Sequence, residues 1–327
     1  MLPGMPTPGL YTSGALLGAD FPLPLDAPFT SRQASSVGVT RGTLARLHRG
    51  GYVRRLVKGV HVAAQAPDTL ALRTAALRLV VPEEAVVTDW TACWLWTGLL
   101  APGAHLEIPP VCLFLPAGRG RLRNGLCDSG ERTLRRDDVV LLDGLRVTSP
   151  VRTAWDLGRL AHRDIAIGAL DGLLRHGDFS HDELLTGVER FRRQRGVVQL
   201  RALTPLADPR AESPGESVLR LRWLDLPSLP PPTPQVPVRD ERGFEIYRLD
   251  LGVEELRFAA EYDGEEHHTT ETDRVHDEQR RAWLRLHRGW IVVPVRRANV
   301  YGVTRDVERL LYEGVDAARR RLGSLAV

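Results

Sequence analysis

The sequence predicts a multidomain α+β protein, and three observations carry that prediction. At 327 residues the chain exceeds one average domain. Its charge is segregated: Ala27 to Pro67 holds seven basic residues and no acidic one, although the whole chain nets only +3. Beyond residue 208, short apolar runs that end in carboxylates alternate with helical patterns. A hydrophobic share of 43% with 26% charged residues is that of an ordinary globular chain and excludes the disordered and collagen-like classes.

Three cysteines without CxxC spacing exclude a disulfide frame or a zinc knuckle and read as reduced thiols of a cytoplasmic protein. The opening MLPGMPTPGL lacks the basic and apolar regions of a secretory signal. The run from Trp90 to Leu106, broken by Pro102 and His105, falls short of the ~18 apolar residues of a spanning helix. No membrane partner is expected.

Four segments follow from composition. Residues 1–27, rich in Pro and Gly, are expected to lack stable structure, and Met5 is an alternative start. Residues 28–66 are short and basic, residues 67–207 read as a mainly helical middle, and residues 208–327 carry strands flanked by helices.

In the basic segment, SRQASSV predicts a short helix, Gly38 a tight turn, and Thr40 the N-cap of a helix over 41–49. Leu44 and Leu47 share its inward face, while Arg46 and Arg49 project from the other side with Arg41 flanking. GGYVRRLVKGVHV then reads as a two-stranded wing with Tyr52, Val53, Leu56 and Val57 inward. Helix, turn, helix and hairpin make a winged helix-turn-helix. The cations Arg32, Arg41, Arg46, Arg49, Arg54, Arg55 and Lys58 give it +7, so the remaining residues sum to −4. That asymmetry is the electrostatic footprint of a double-stranded DNA reader, with Thr43 joining the candidate contacts. A basic unit docked on the acidic remainder is the other reading. Through GVTRGTLARLHRGGYVRRLVKGVHV the segment resembles the N-terminal domain of AbiEi-family antitoxins, which implies promoter binding and a cognate toxin as partner.

In the middle, Trp90, Trp94 and Trp96 read as packing groups. VTSPVRTAWDL predicts a strand ending at Pro150 and then a helix, and His162, Asp164 and Asp171 show no spacing that demands chemistry. VTDWTACWLWTG and TSPVRTAWDL resemble patches of AbiEi-like proteins, and the region reads as a spacer or partner-binding part.

The last segment opens on SPGESVLRLRWL, where Ser213, Pro214 and Glu216 make a capping box. Strands are predicted over 235–238, 244–253 and 257–263. Glu261 and Asp263, two apart, point to one face, and antiparallel pairing brings Asp250 beside them. Three carboxylates at one sheet edge repel until a divalent cation sits among them. In EYDGEEHH, Gly264 ends the strand, Glu265 and Glu266 read as a solvated turn, and His267 and His268 stand at the mouth. A helix over 273–289 is expected to be capped by Asp273 and to bury Val275, Ala282, Trp283 and Leu286. WIVVPV is a fourth strand, and a final helix runs from Thr304 to about Leu322.

The order helix–β–β–β–helix–β with LDLGVEELRFAAEYDGEEHH, then Asp277, Arg280 and Leu284, resembles the PD-(D/E)XK nuclease superfamily, and more closely its Vsr-like branch, over Ala211 to about Arg296. The resemblance implies a C-terminal α/β nuclease fold with a central mixed sheet flanked by helices. It implies that Asp250 and Glu261 hold Mg2+ or Mn2+, that His267 lies near the scissile phosphate, and that Glu216 edges the site; Asp263 joins the metal set through the strand face it shares with Glu261. Arg280 or Arg281 would bind phosphate. Two positions depart from the pattern: Asp263 stands where the superfamily usually has Lys, and Pro294 where related sequences often carry Arg. The expected activity is cation-dependent hydrolysis of DNA phosphodiesters. The alternative is a non-catalytic AbiEi-like antitoxin or autorepressor on a degenerate nuclease fold.

Overall fold

A computed structural model of the chain describes residues 11–13, 16–99, 108–115, 126–130, 132–264 and 271–325, with the backbone alone at 12–13, 271–274 and 325. The protein is α+β, and two of its sheets mix parallel and antiparallel pairs. It divides into two compact units, Met1–Asp156 and Leu157–Val327. No helix among the described residues is long and apolar enough to cross a membrane.

In the first unit, β1 (Thr12–Ser13) pairs with β2 (Leu16–Leu17), and β3 (Phe29–Thr30) runs into α1 (Ser31–Ser36). Thr30 and Gln33 close a capping box: the Gln33 N–H donates to Thr30 Oγ1 at 3.1 Å, and the Thr30 N–H to Gln33 Oε1 at 2.7 Å. Gly38, at φ +83°, makes the turn that other residues resist. In α2 (Arg41–Arg49) the cap is Thr40, whose side chain accepts from the Thr43 N–H at 3.1 Å. Leu44 and Leu47 are buried with Phe29, Ala34, Val39 and Val53. The hairpin of β4 (Val53–Val57) and β5 (Val60–Ala63) completes a sheet ordered β3-β5-β4.

Residues 16–27 correct the expectation of a structureless leader. Leu17 and Phe21 are buried in this same core, and Gln65 ties down both the N–H and the carbonyl of Leu17. Apolar side chains spaced among Pro and Gly fill the core from the short strand β2 and the turn after it.

The middle segment, read as mainly helical, also carries a sheet that the sequence pattern did not show. After α3 (Leu70–Arg78) come β6 (Val86–Val87), α4 (Asp89–Thr97), β7 (Val111–Phe114), β8 (Cys127–Gly130), β9 (Val139–Leu142) and β10 (Leu145–Thr148). They form a five-stranded sheet ordered β8-β7-β6-β10-β9, parallel at β7–β8 and β6–β10. Strands of two to four residues leave almost no alternation to read. Trp94 and Trp96 are buried as expected, and the Trp96 indole N–H donates to the Thr148 carbonyl at 2.9 Å. α5 (Pro150–Leu160) starts at the expected proline.

In the second unit, α6 (Arg163–His176), α7 (His181–Thr186) and α8 (Val197–Leu203) precede α9 (Pro214–Leu224). The sequence reading set residues 157–207 with the middle, whereas the structure groups them with the C-terminal sheet. The link is ionic: α6 packs on α9 through Asp171–Arg220 at 2.7 Å and through an Asp164–Arg222 bond, all four groups buried. Then follow β11 (Thr233–Arg239), β12 (Glu245–Val253), β13 (Phe258–Asp263), α10 (Glu271–Trp283), β14 (Ile291–Arg296), α11 (Arg297–Val300) and α12 (Val307–Leu325). The sheet runs β11-β12-β13-β14, antiparallel twice and then parallel, so a crossover through α10 is required. Trp223 of α9 lies on Phe258 of β13 with ring centroids 5.3 Å apart.

A wide π turn, Leu284–Arg288, prolongs α10. It changes the phase of the helix, so Leu284 is buried while Leu286 is 73% exposed. Val275 and Ala282 also face out, and Trp283 is half-buried, which corrects the expected inner face. Asp273, the expected cap, falls inside the first turns of α10, where side chains lie outside the described residues.

Candidate functional site

Glu216 is placed by the start of α9. Ser213 caps the helix by accepting from the Glu216 N–H at 3.2 Å, with Pro214 at the first position. The reciprocal half of the box is displaced: Glu216 Oε2 accepts from the Glu212 N–H at 2.9 Å instead of from Ser213. Gly215 makes the approach feasible, because a Cβ there would lie 2.1 Å from the Tyr262 ring of β13. The first turn of α9 therefore rests on Tyr262, and the buried Glu216 carboxylate is held near the sheet.

Asp250 and Glu261 come from adjoining strands. Leu251 pairs with Ala260, so the next step of the register sets Asp250 against Glu261. On the other side, Pro234–Leu251 and Val236–Leu249 pair, which sets Gln235 against Asp250. The Asp250 carboxylate accepts from the Tyr262 N–H at 2.7 Å. Burial, then the charge of Glu216, then that of Glu261 push its carboxyl up to about 7, while the Tyr262 N–H and Arg280 pull down. Glu261 is buried and hydrogen-bonded to the Arg280 guanidinium of α10. Burial raises its carboxyl above the usual range, and Arg280 and Arg281 oppose that rise.

Asp263, half-buried, lies 3.9 Å from Arg296 Nε, across from the residue it matches in parallel register. Pro294 takes the register position of Glu261, so an arginine does sit on this strand, two residues further along. His267 lies outside the described residues, with Glu265, Glu266 and His268. Among the described residues, no group of three or more His, Cys, Asp or Glu side chains is gathered as for a metal ion.

The structure thus draws Asp250, Glu261 and Glu216 into one neighbourhood, and Asp263, two residues on from Glu261, also lies near Arg296. Hard carboxylate oxygens are the donors that Mg2+ and Mn2+ take. Burial raises the Asp250 carboxyl most, and the charges of Glu216 and Glu261 add to that rise. In donor type and charge, the residues fit a divalent cation. Gln235 is the member that sequence reasoning missed. Its Nε2–H donates to Glu216 Oε2 at 2.8 Å, from a backbone at φ +55° in the middle of β11. A polar residue in an apolar strand was the only signal.

On the basic segment, Arg32, Arg41, Arg49, Arg55 and Lys58 are exposed, while Arg46 and Arg54 are half-buried. Arg54 donates to the Ala66 carbonyl at 2.7 Å. Thr43 is buried and accepts from Arg46 Nη2 at 3.3 Å, so it steadies that guanidinium from below. His61 is buried between His48 Nε2 and Ser31 Oγ, each at 2.8 Å. Burial, His48 and Arg55 lower it to about 4, so this tie between α2, β5 and α1 is uncharged at neutral pH. The sequence reading had not joined these two histidines.

No family model matches the chain. It is 34% identical over 267 residues to the "Uncharacterized protein Rv2248" of Mycobacterium tuberculosis strain H37Rv, an alignment that covers 81% of this chain and 90% of that protein. The "Uncharacterized protein MT2308" of strain CDC 1551 matches with the same figures.

Proposed function

The chain belongs to the family of these two mycobacterial proteins, and we propose that it is a DNA-binding protein whose second unit is a cation-dependent phosphodiesterase of the Vsr-like, PD-(D/E)XK kind. The observation that carries this reading is the position of Asp250 and Glu261 one register step beyond the Leu251–Ala260 pair of adjoining strands, with buried Glu216 close enough for its charge to act on Asp250. The order α9-β11-β12-β13-α10-β14 supports the fold assignment.

Asp250 and Glu261 would hold Mg2+ or Mn2+, and a bound cation supplies a lowered pKa for water and a counter-charge for a phosphate oxygen. Glu216 adds negative charge that favours cation uptake and is itself fixed by two N–H donors. Tyr262 orients Asp250 through its N–H. Arg281 and, once released from Glu261, Arg280 are the cations on the crossover helix that would meet the DNA backbone. Asp263 and His267 complete the proposed set.

For the first unit we read α1, Gly38, α2 and the β4–β5 hairpin as a winged helix that grips double-stranded DNA. The exposed Arg41, Arg49, Arg55 and Lys58 with half-buried Arg46 and Arg54 support it.

One observation favours a second reading. Arg280 already occupies the charge position beside Glu261, as a non-catalytic descendant of a nuclease would allow. In that case the chain is an AbiEi-like repressor with a toxin partner. Nicking of plasmid DNA by the full chain in Mg2+ or Mn2+ separates the two. Wild type should cut, and Asp250→Ala and Glu261→Ala should not. Equal cutting by all three, or by none, refutes the phosphodiesterase.

A further inference from the structure

Gln235 stands out on three independent grounds. Its backbone is at φ +55°, in the left-handed region that a non-glycine residue inside a strand rarely adopts. Its register position faces Asp250. Its side-chain amide is bonded to Glu216 at 2.8 Å. Strain of this kind costs of the order of one hydrogen bond and persists only where neighbouring structure over-determines it.

The neighbours show what does so. Pro234 and Val236 on either side of Gln235 are buried, and both keep their pairing to β12. The strand is therefore anchored before and after the distortion, and only the one residue between is turned. The amide orientation follows from chemistry: an ionised carboxylate only accepts, so the NH2 must face Glu216. The contact does not serve the helix cap, because Ser213 and the Glu212 N–H already satisfy that end of α9. What the turn of Gln235 adds is a second clamp on Glu216, from the strand next to Asp250.

We infer that Gln235 is a positioning residue for the cation site: its strained backbone aims the amide at Glu216 and fixes that carboxylate beside Asp250 and Glu261. The inference rests on the phosphodiesterase reading and adds to it the residue that sets Glu216. It also explains why Glu216 departs from the ordinary box geometry, since a carboxylate held from two sides cannot swing to the Ser213 N–H.

Two substitutions separate this role from simple packing. Gln235→Gly removes the amide and relieves the backbone, whereas Gln235→Met removes the amide and keeps the strain. Mn2+ uptake by the full chain is read by calorimetry, and Tm is read on the same metal-free samples. Both variants should bind Mn2+ about tenfold more weakly, as for other lost outer partners of metal ligands. Gln235→Gly should do so with Tm at or above that of wild type. Wild-type affinity in Gln235→Gly overturns the inference and leaves the phosphodiesterase reading standing. Absence of Mn2+ uptake by wild type overturns both.

Discussion

Raising the pH from 6 to 8 should tighten Mn2+ binding to the full chain about tenfold, because the cation competes with a proton on Asp250. Burial beside Glu216 and Glu261 puts that carboxyl at about 7. It is then about nine-tenths protonated at pH 6 and about one-tenth at pH 8, and only the carboxylate binds metal. Uptake should expel roughly 0.9 proton at pH 6 and roughly 0.1 at pH 8, a difference worth about 1.4 kcal/mol in affinity. The metal-free fold should show the opposite trend. A carboxyl raised in the folded state holds a proton that the unfolded chain has released, so stability falls as pH rises from about 4 to about 7, by roughly 4 kcal/mol at most. Calorimetry in two buffers of different ionisation enthalpy counts the protons. Asp250→Asn should bind weakly at every pH and release fewer protons than wild type, which separates Asp250 from any histidine. Affinity that is flat with pH, without proton release in wild type, would refute the reasoning.

Arg280→Ala should leave buried Glu261 unpaired and cost about 3 kcal/mol, seen as a lowered Tm that Mn2+ restores. A melt unchanged by the substitution would show that the pair is slack. Asp171→Ala strands buried Arg220 between α6 and α9 and should destabilise the second unit by about 3–5 kcal/mol in urea titrations. Arg46→Ala with Arg49→Ala should weaken anisotropy-detected binding to a DNA duplex and flatten its salt slope by about 0.9 per lost phosphate contact. Cys93, whose thiol burial pushes up to about 12, should stay unmodified by thiol reagents at pH 8 until the chain unfolds.

What could be read in the sequence was whatever repeats along an element. Each of the four strands of the second unit lies within about two residues of its predicted span, as an apolar run bounded by turn residues, and β11 alternates between buried and open positions along its length. Antiparallel pairing across a short turn then set Asp250 beside Glu261. Period two put Asp263 on the face of Glu261, and the sequence did not show that Arg296 of β14 would stand near it. Val86–Val87 carries no period at all and still centres the five-stranded sheet, so the middle read as helical. The join between α6 and α9 was illegible because Asp164, Asp171, Arg220 and Arg222 look like surface charges until their partners are placed. Gln235 was hidden for another reason: a single left-handed residue leaves no pattern, and its meaning lies in what it faces.

The mixed sheet has a consequence for the order in which the site comes together. Gln235, Asp250 and Glu261 lie on a meander whose turns are short, so loop closure brings them together cheaply. Arg280 arrives only when the crossover through α10 delivers β14 to its parallel place beside β13. A folding chain can therefore bring Asp250 and Glu261 together before their arginine comes. Cations present at that moment meet the cluster without a competitor, and stopped-flow refolding with and without Mn2+ would time the interval.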